Sequence, residues 1–390
     1  MKILRAIFIA TVLLGCRTAI PAPTTNKAAF TPANPPEMKP ITSHDTPAYR
    51  MAEHFMHGVN LGNYLEVPPG QNWGVTVSAV EFSIMREQGF DHVRVPIGWQ
   101  HYTGPGPDFT LTPGIFSRVD FVVTNALAAG LAVIINIHHF DGLDTNPAAA
   151  TDEFLKLWSQ VAAHYEQFPA QLAFELDNEP HDRATTTVMN SLYARALAEI
   201  RENNPHRTIF VEPGNWGNID ELKNLVLPPD GNVMVSVHCY DPFLFTHQGA
   251  TWTGGTTPVT GIVFPGPPAA PLVPNPSLKL SSWVTNWIHE CNTLPAGRNP
   301  SSPIAFDAKL TYCRAWSDYY GRPVHLGEFG AYTKADDRSR ANFYAAFRRE
   351  CEKLGLGWCI WDWSAGFRYW DRQNHRSMPG MREALFGESE

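Results

Sequence analysis

Eight short apolar runs, each followed by a longer stretch, organise this chain from His57 onward. They read HGVNLGNYLE, HVRVPIG, AVIINIHH, LAFELDNEP, TIFVEPG, VMVSVHCYDP, PVHLGEFG and GWCIWDW. Between them stand segments of helical period such as VSAVEFSIMREQG, IFSRVDFVVTNALAAG, DEFLKLWSQVAAHYEQF, VMNSLYARALAEIREN and SRANFYAAFRRECEKLG, several of them stopping at the glycine that commonly ends a helix. Strands alternating with helices imply a parallel sheet, since parallel neighbours are joined only by a crossover. Eight such units predict closure into a (β/α)8 TIM barrel. The rival is an open doubly wound sheet, which usually carries a Gly-rich phosphate turn after its first strand, and none stands here.

Barrel enzymes build their sites at the C-terminal ends of the strands, so polar residues that close an apolar run carry the most weight. Here these are Asn60, Arg94, His138, His139, Asn178, Glu179, Glu212, His238, Tyr240, Asp241, Glu328, Trp361 and Asp362. Residues 243–302, dense in Gly and Pro as in GIVFPGPPAAPLVPNP, form one long connection expected to wall the same end of the barrel.

Glu179 in FELDNEP and Glu328 in VHLGEFG each stand where an apolar run gives way to a loop. Two carboxyl groups across a barrel mouth suit cleavage of a glycosidic bond: one protonates the departing oxygen, and the other meets the developing sugar cation. Different pKa values are then needed. The expectation is a protonated Glu179, as acid and later base, and an ionised Glu328 held by Arg94 and the Tyr240 hydroxyl.

GVNLGN, VRVPIGW, NIHH, LDNEP, VHCYDP, GEFG and WCIWDW follow one another at the first, second, third, fourth, sixth, seventh and eighth strands, and this series resembles glycoside hydrolase family five over nearly all of residues 56–363. The resemblance implies a retaining endo-β-glycanase of the cellulase type that needs no cofactor or metal. It places the acid/base on Glu179 and the nucleophile on Glu328. Supporting roles fall on Arg94, His138, Asn178, His238 and Tyr240, with Asn178 bonding the 2-hydroxyl of the attacked sugar and Trp361 flooring the adjoining subsite. His139, Asn60, Trp99 and Trp216 are the further expected substrate contacts, with Asn60 alternatively orienting neighbours or satisfying backbone hydrogen bonds; Trp73, Trp252 and Trp363 are candidate aromatic shelves, and for any single one of these tryptophans core packing is the alternative. Plant-type β-glucan, β-1,4 or mixed-linkage, is the expected substrate, with β-mannan and xyloglucan as alternatives of the same fold.

Other chemistries fit less well. His138, His139 and Asp141 resemble a metal set, but the first strand lacks an H-x-H pair. A Schiff-base aldolase needs a strand-end lysine, and no expected strand ends in one. A sugar-binding protein that has lost catalysis is the alternative of another class; retention of both glutamates argues against it. The formal charge of −8 comes from mixed residues without single-sign blocks, so nothing suggests a polyanion groove, and nucleic acid is an unexpected partner. A monomer is expected.

Residues 1–16, MKILRAIFIATVLLGC, carry Lys2 and Arg5 ahead of an apolar stretch too short to span a bilayer, and read as an export signal. Its LLGC end resembles a bacterial lipobox, which would leave Cys16 as a lipid anchor at the cell envelope; a plain secretory signal is the alternative. Residues 17–48, rich in Pro, Thr, Ala and Asn, are expected to form a poorly ordered tether ahead of a catalytic domain over 49–390. Five cysteines follow Cys16, with no C-x-x-C spacing; Cys291 and Cys313 are the pair expected to bond first if any does.

Overall fold

The computed structural model of the protein describes residues 38, 40, 41, 43–253, 257 and 259–387. All eight expected strands are present: β1 (His57–Asn60), β2 (His92–Val95), β3 (Ala132–Asn136), β4 (Leu172–Glu175), β5 (Ile209–Val211), β6 (Val233–His238), β7 (Val324–Phe329) and β8 (Gly357–Ile360). They pair in parallel in chain order, and β1 closes onto β8, giving the closed barrel. Every β2 to β8 residue is buried, as expected of strands covered on both faces.

The outer helices start and stop on local signals. Thr185 and Asp336 accept hydrogen bonds from Val188 and Ser339 N–H and so open Thr186–Asn203 and Asp337–Leu354. Pro147 follows the Asn146 cap of Pro147–His164. Gly321 and Gly355, both left-handed, end Asp307–Tyr320 and Asp337–Leu354. Between β5 and β6 the chain makes only a short turn, Gly214–Gly217, and the 3-10 segment Ile219–Asn224.

Inside the barrel the chemistry changes with height. The lower part packs Phe55, Ala132, Ile134, Ala173, Phe210 and Met234 into one apolar cluster. Beside it lie the rings of His92 and His325, 5.1 Å apart, and a Cβ on Gly58 would stand 2.1 Å from His92, so only glycine leaves that ring its space. The upper part is polar, with Asn60, Arg94, Asn136, Glu175, Glu212 and Ser236 fully buried. Buried polar groups must find partners or lose several kcal/mol each (about 2–7 in an apolar medium), and that demand fixes their geometry.

Packing reaches further toward the N-terminus than the expected boundary at residue 48. Met38 is buried and its sulfur accepts from Leu227 N–H, Ile41 N–H donates to Tyr320 carbonyl, and Thr46 caps the helix Pro47–Ala52. The expected export signal, Cys16 and residues 17–37 lie outside the described residues. The described residues of 243–302 include the helices Phe243–Thr246 and Ser282–Thr293 and the 3-10 turn Ala296–Arg298. Cys291 and Cys313 are not bonded to each other: Cys239, Cys291, Cys313, Cys351 and Cys359 are all free and buried. Among the described residues no helix is long and apolar enough to cross a membrane.

Candidate active site

A cleft of about 1220 Å3 opens at the C-terminal end of the barrel, lined among others by His138, His139, Glu179, His238, Tyr240, Glu328 and Trp361. Glu179, His238 and Glu328 each bring a ligand-type atom within 4.8 Å of the other two. The two carboxylates thus face each other across one gap, despite their separation along the chain. Such an approach of one oxygen from each fits the roughly 5–5.5 Å carboxyl spacing of retaining glycosidases. These atoms are already held by protein partners, so the trio is first a charge network.

Arg94, wholly buried, is its hub. Nη1 donates to Glu328 Oε1 at 2.8 Å and to Asn60 Oδ1 at 2.8 Å, while Nη2 donates to Asn178 Oδ1 at 2.6 Å. Nε and Nη2 together grip Glu175. The Tyr240 hydroxyl donates to Glu328 Oε2 at 2.8 Å; burial, reinforced by the nearby carboxylates, raises its pKa and keeps it a phenol. His238 Nδ1 lies 2.8 Å from Glu179 Oε1. Its Nε2 lies 3.0 Å from Glu212 Oε1, a charge contact off the ideal hydrogen-bond line.

Backbone geometry at Glu179 is unusual. The residue is left-handed, with φ 51°, a conformation that costs a non-glycine residue about 1–3 kcal/mol and persists only when neighbours enforce it. Glu212 Oε2 enforces it by accepting Glu179 N–H at 2.9 Å.

Electrostatics depart from the expected division. Burial raises Glu328 to about 7, against the pull of His238 and Arg94. Burial also raises Glu179, but the hydrogen bond and charge of His238 outweigh it and leave the group lowered. Glu179 is therefore the more acidic of the two, the reverse of the sequence expectation. The cause is His238: burial disfavours its cation, yet Glu212, Glu328 and Glu179 together hold it well above its ordinary pKa. His138 is the opposite case, buried and kept neutral, its ring parallel to Trp361 at 5.9 Å.

The Cellulase (glycosyl hydrolase family 5) model matches residues 57–366. The chain belongs to glycosyl hydrolase family 5. Endoglucanase H of Acetivibrio thermocellus is 27% identical over 314 residues, covering 80% of this chain and 30% of that protein. The cellulase/esterase CelE of the same organism is 31% identical over 341 residues, covering 82% and 36%. This chain thus spans about a third of the length of those curated relatives. Among solved structures, endoglucanase Cel5A from the hyperthermophilic Thermotoga maritima shares 34% identity at a TM-score of 0.75, covering 87% of this chain and 100% of that one. Cel5A has been solved in complex with cellobiose and with mannotriose.

Within this family 5 cleft the expected substrate contacts divide. Trp361, Trp216, Trp73, Trp252 and His139 line it. Trp216 is 51% exposed and stacks on His181 at 4.9 Å, the arrangement of a platform rather than of a core ring. Trp99 does not reach the cleft; it is buried, with its indole N–H donated to Asn136 carbonyl. Trp363 is buried too, bonded to Glu81 and stacked on Trp370. Asn60 is no substrate contact either, because its amide donates to Gly327 and Ile360 carbonyls beneath the site while its oxygen takes Arg94. Asp362 lines the cleft but spends its carboxylate on Ala365 and Phe367 N–H, holding the turn after β8. Asp177, directly before Asn178, is buried, and burial beside Asp144, Glu212 and Glu175 raises its pKa well above the ordinary range.

Several contributors were not foreseen. Glu175 and Asn136, the last residues of β4 and β3, complete the Arg94 cage, Asn136 donating to Glu175 Oε1 at 2.9 Å; a polar residue within an apolar run was the available signal. Asn63, Asn215, Asn218, His247 and Lys309 line the cleft from loops and from a helix, where no strand-end rule marks them. Among the described residues of 243–302, Phe243, His247, Trp252 and Thr253 line it.

Proposed function

We propose that this protein is a retaining endo-β-glucanase, cleaving internal β-1,4 or mixed-linkage bonds of a plant-type β-glucan by double displacement. The observation that carries the reading is the approach of the Glu179 and Glu328 oxygens to within 4.8 Å in an open cleft with an aromatic floor. Glu328 attacks the anomeric carbon while Glu179 protonates the departing oxygen. The resulting glycosyl ester on Glu328 is opened by water, whose proton Glu179 takes. Glu175, Glu179, Glu212 and Glu328 stand against two cations, Arg94 and His238, so the cluster readily retains a proton. Cleavage needs that proton on Glu179, and the Arg94 and Tyr240 contacts favour an ionised Glu328.

Asn178 has its oxygen fixed by Arg94, which leaves its amide free to donate to the 2-hydroxyl of the attacked sugar. Trp361 offers that sugar a flat apolar face. Trp216, whose N–H bonds to Pro180 carbonyl directly after the acid, belongs to the leaving-group side. Support for a β-glucan and for an endo mode comes from the endoglucanase relatives. The mannotriose complex of Cel5A is the specific reason to assay mannan beside it. The export signal and LLGC motif support an envelope lipoprotein anchored through Cys16, which mass spectrometry of the mature N-terminus would establish or remove.

The test is turnover of barley β-glucan, carboxymethylcellulose, xyloglucan and mannan, with the anomer of the first product followed by NMR. Retention of configuration, with turnover abolished in Glu328→Gln while the fold stays intact, is expected. Inversion, or undiminished turnover in that variant, removes the mechanism; strong turnover of mannan alone overturns the β-glucan preference.

A further inference from the structure

We propose that Glu212, which touches no substrate, is a positioning residue that fixes the backbone of Glu179 and keeps the cleavage proton on the His238 and Glu179 dyad. The inference rests on the reading of Glu179 as acid/base and adds to it the source of the proton. Glu212 closes β5 and is wholly buried. One oxygen, Oε2, takes Glu179 N–H at 2.9 Å. The other, Oε1, stands 3.0 Å from His238 Nε2, 3.2 Å from Ser236 Oγ and 3.4 Å from Arg94 Nη2. Tyr193 OH donates to the Glu212 carbonyl from the helix behind. The left-handed Gly217 leaves room above the carboxylate: a Cβ there would come within 2.9 Å of Oε2.

The contacts come from β2, from the turn after β4, from β6 and from the helix Thr186–Asn203, so the carboxylate acts as a keystone. The titratable groups facing it are Arg94 from β2, Glu175, Asp177 and Glu179 from the fourth unit, Tyr193 from the helix Thr186–Asn203, and His238 from β6, with Glu328 of β7 beyond. His238 is the link. With Glu212 behind Nε2, the imidazole keeps its second proton and presents Nδ1–H to Glu179 Oε1 at 2.8 Å. During cleavage that proton passes from Nδ1 to Glu179 as Glu179 gives a proton to the glycosidic oxygen, leaving a neutral imidazole. When water opens the ester, its proton goes to Glu179 and on to His238, so the cycle closes with no proton gained or lost by the protein. The lowered pKa of Glu179 and its role as acid are then compatible, because its proton waits on His238 Nδ1.

Glu212→Gln tests this, since the amide oxygen can still accept Glu179 N–H while the charge is gone. The measurement is kcat/KM against pH for wild type and variant, on phenyl and on dinitrophenyl β-cellobioside. Removing a negative charge weakens every proton on the dyad, so on the phenyl substrate the alkaline limb should move to lower pH by about one unit or more. The dinitrophenyl substrate departs without protonation and should show little movement. A uniform loss at every pH on both substrates, or an unmoved limb, overturns the proposal. Should the variant fail to fold, 15N NMR of His238 in the wild type decides: an imidazolium persisting above pH 8 supports it, and a neutral ring at pH 7 overturns it. Absence of any hydrolysis by the wild type would instead mark failure of the underlying glucanase reading.

Discussion

Arg94 and Glu175 form a wholly buried two-point pair, Nε lying 3.1 and 3.0 Å from the two carboxylate oxygens and Nη2 2.6 Å from Oε1. The pair turns the remaining guanidinium edge toward Asn60, Asn178 and Glu328, so a residue absent from the cleft sets the position of three groups around the reaction. A planar fork is needed for this, and an ammonium has none.

Arg94→Lys is therefore expected to lower kcat by at least about 100-fold through misplacement of Glu328 and Asn178. Glu175→Gln strips the Arg94 charge of its closest partner, and breaking such a buried pair should destabilise by about 3–5 kcal/mol. Steady-state kinetics and urea unfolding separate the two effects. A lysine variant with wild-type kcat would show that Arg94 serves the barrel and not the chemistry.

A second expectation concerns acid. His325 sits in the lower barrel, fully buried, with neither ring nitrogen bonded among the described residues, and burial lowers its pKa well below 6.5. The unfolded chain can protonate this residue near pH 6.5 and the folded chain cannot. Below that pH the unfolded state therefore binds more protons, and stability falls as pH falls; above it the term vanishes. One such histidine contributes about 1.4 kcal/mol per pH unit, or about 2 kcal/mol between pH 6.5 and 5. In His325→Leu the loss of unfolding free energy from pH 7 to pH 5 should be smaller than in the wild type by about that amount. Equal losses in the two proteins would mean that His325 is protonated or hydrated in the fold.

The barrel was legible because strands buried on both faces must be continuous apolar runs, and each run here closes on a polar residue that the mouth then uses. Glu179, Glu328, Arg94, His238 and Tyr240 could be named for that reason. Their protonation could not, since it depends on Glu212 and Glu328 meeting one imidazole from three strands, a sum that no linear pattern contains. Tryptophans exposed the same limit. Trp99 and Trp363 satisfy their N–H groups on Asn136 and Glu81 inside the fold, whereas Trp216 hangs over the cleft, and in sequence all three stand beside a loop or strand end. The crossover between β5 and β6 shows a further one, for short turns and a 3-10 segment do there what a helix does elsewhere.

Trp216 supplies the last prediction. Its backbone is left-handed, with φ 60°, and its N–H is tied to Pro180 carbonyl, so the loop that carries the ring is fastened to the turn that carries the acid. The ring is backed by His181, whose Nδ1 lies 2.8 Å from Glu179 carbonyl oxygen. Such a platform is rigid before substrate arrives, and stacking on it should favour the sugar that leaves. Trp216→Ala removes about 1 kcal/mol of contact, or about 5-fold in affinity for that unit. The loss should appear as a raised KM on cellohexaose or barley β-glucan, and hardly at all on dinitrophenyl β-cellobioside, where no sugar occupies the leaving-group side. An equal rise on both substrates would place Trp216 on the other side of the scissile bond, and an unchanged KM on the oligosaccharide would leave the ring without a sugar to hold.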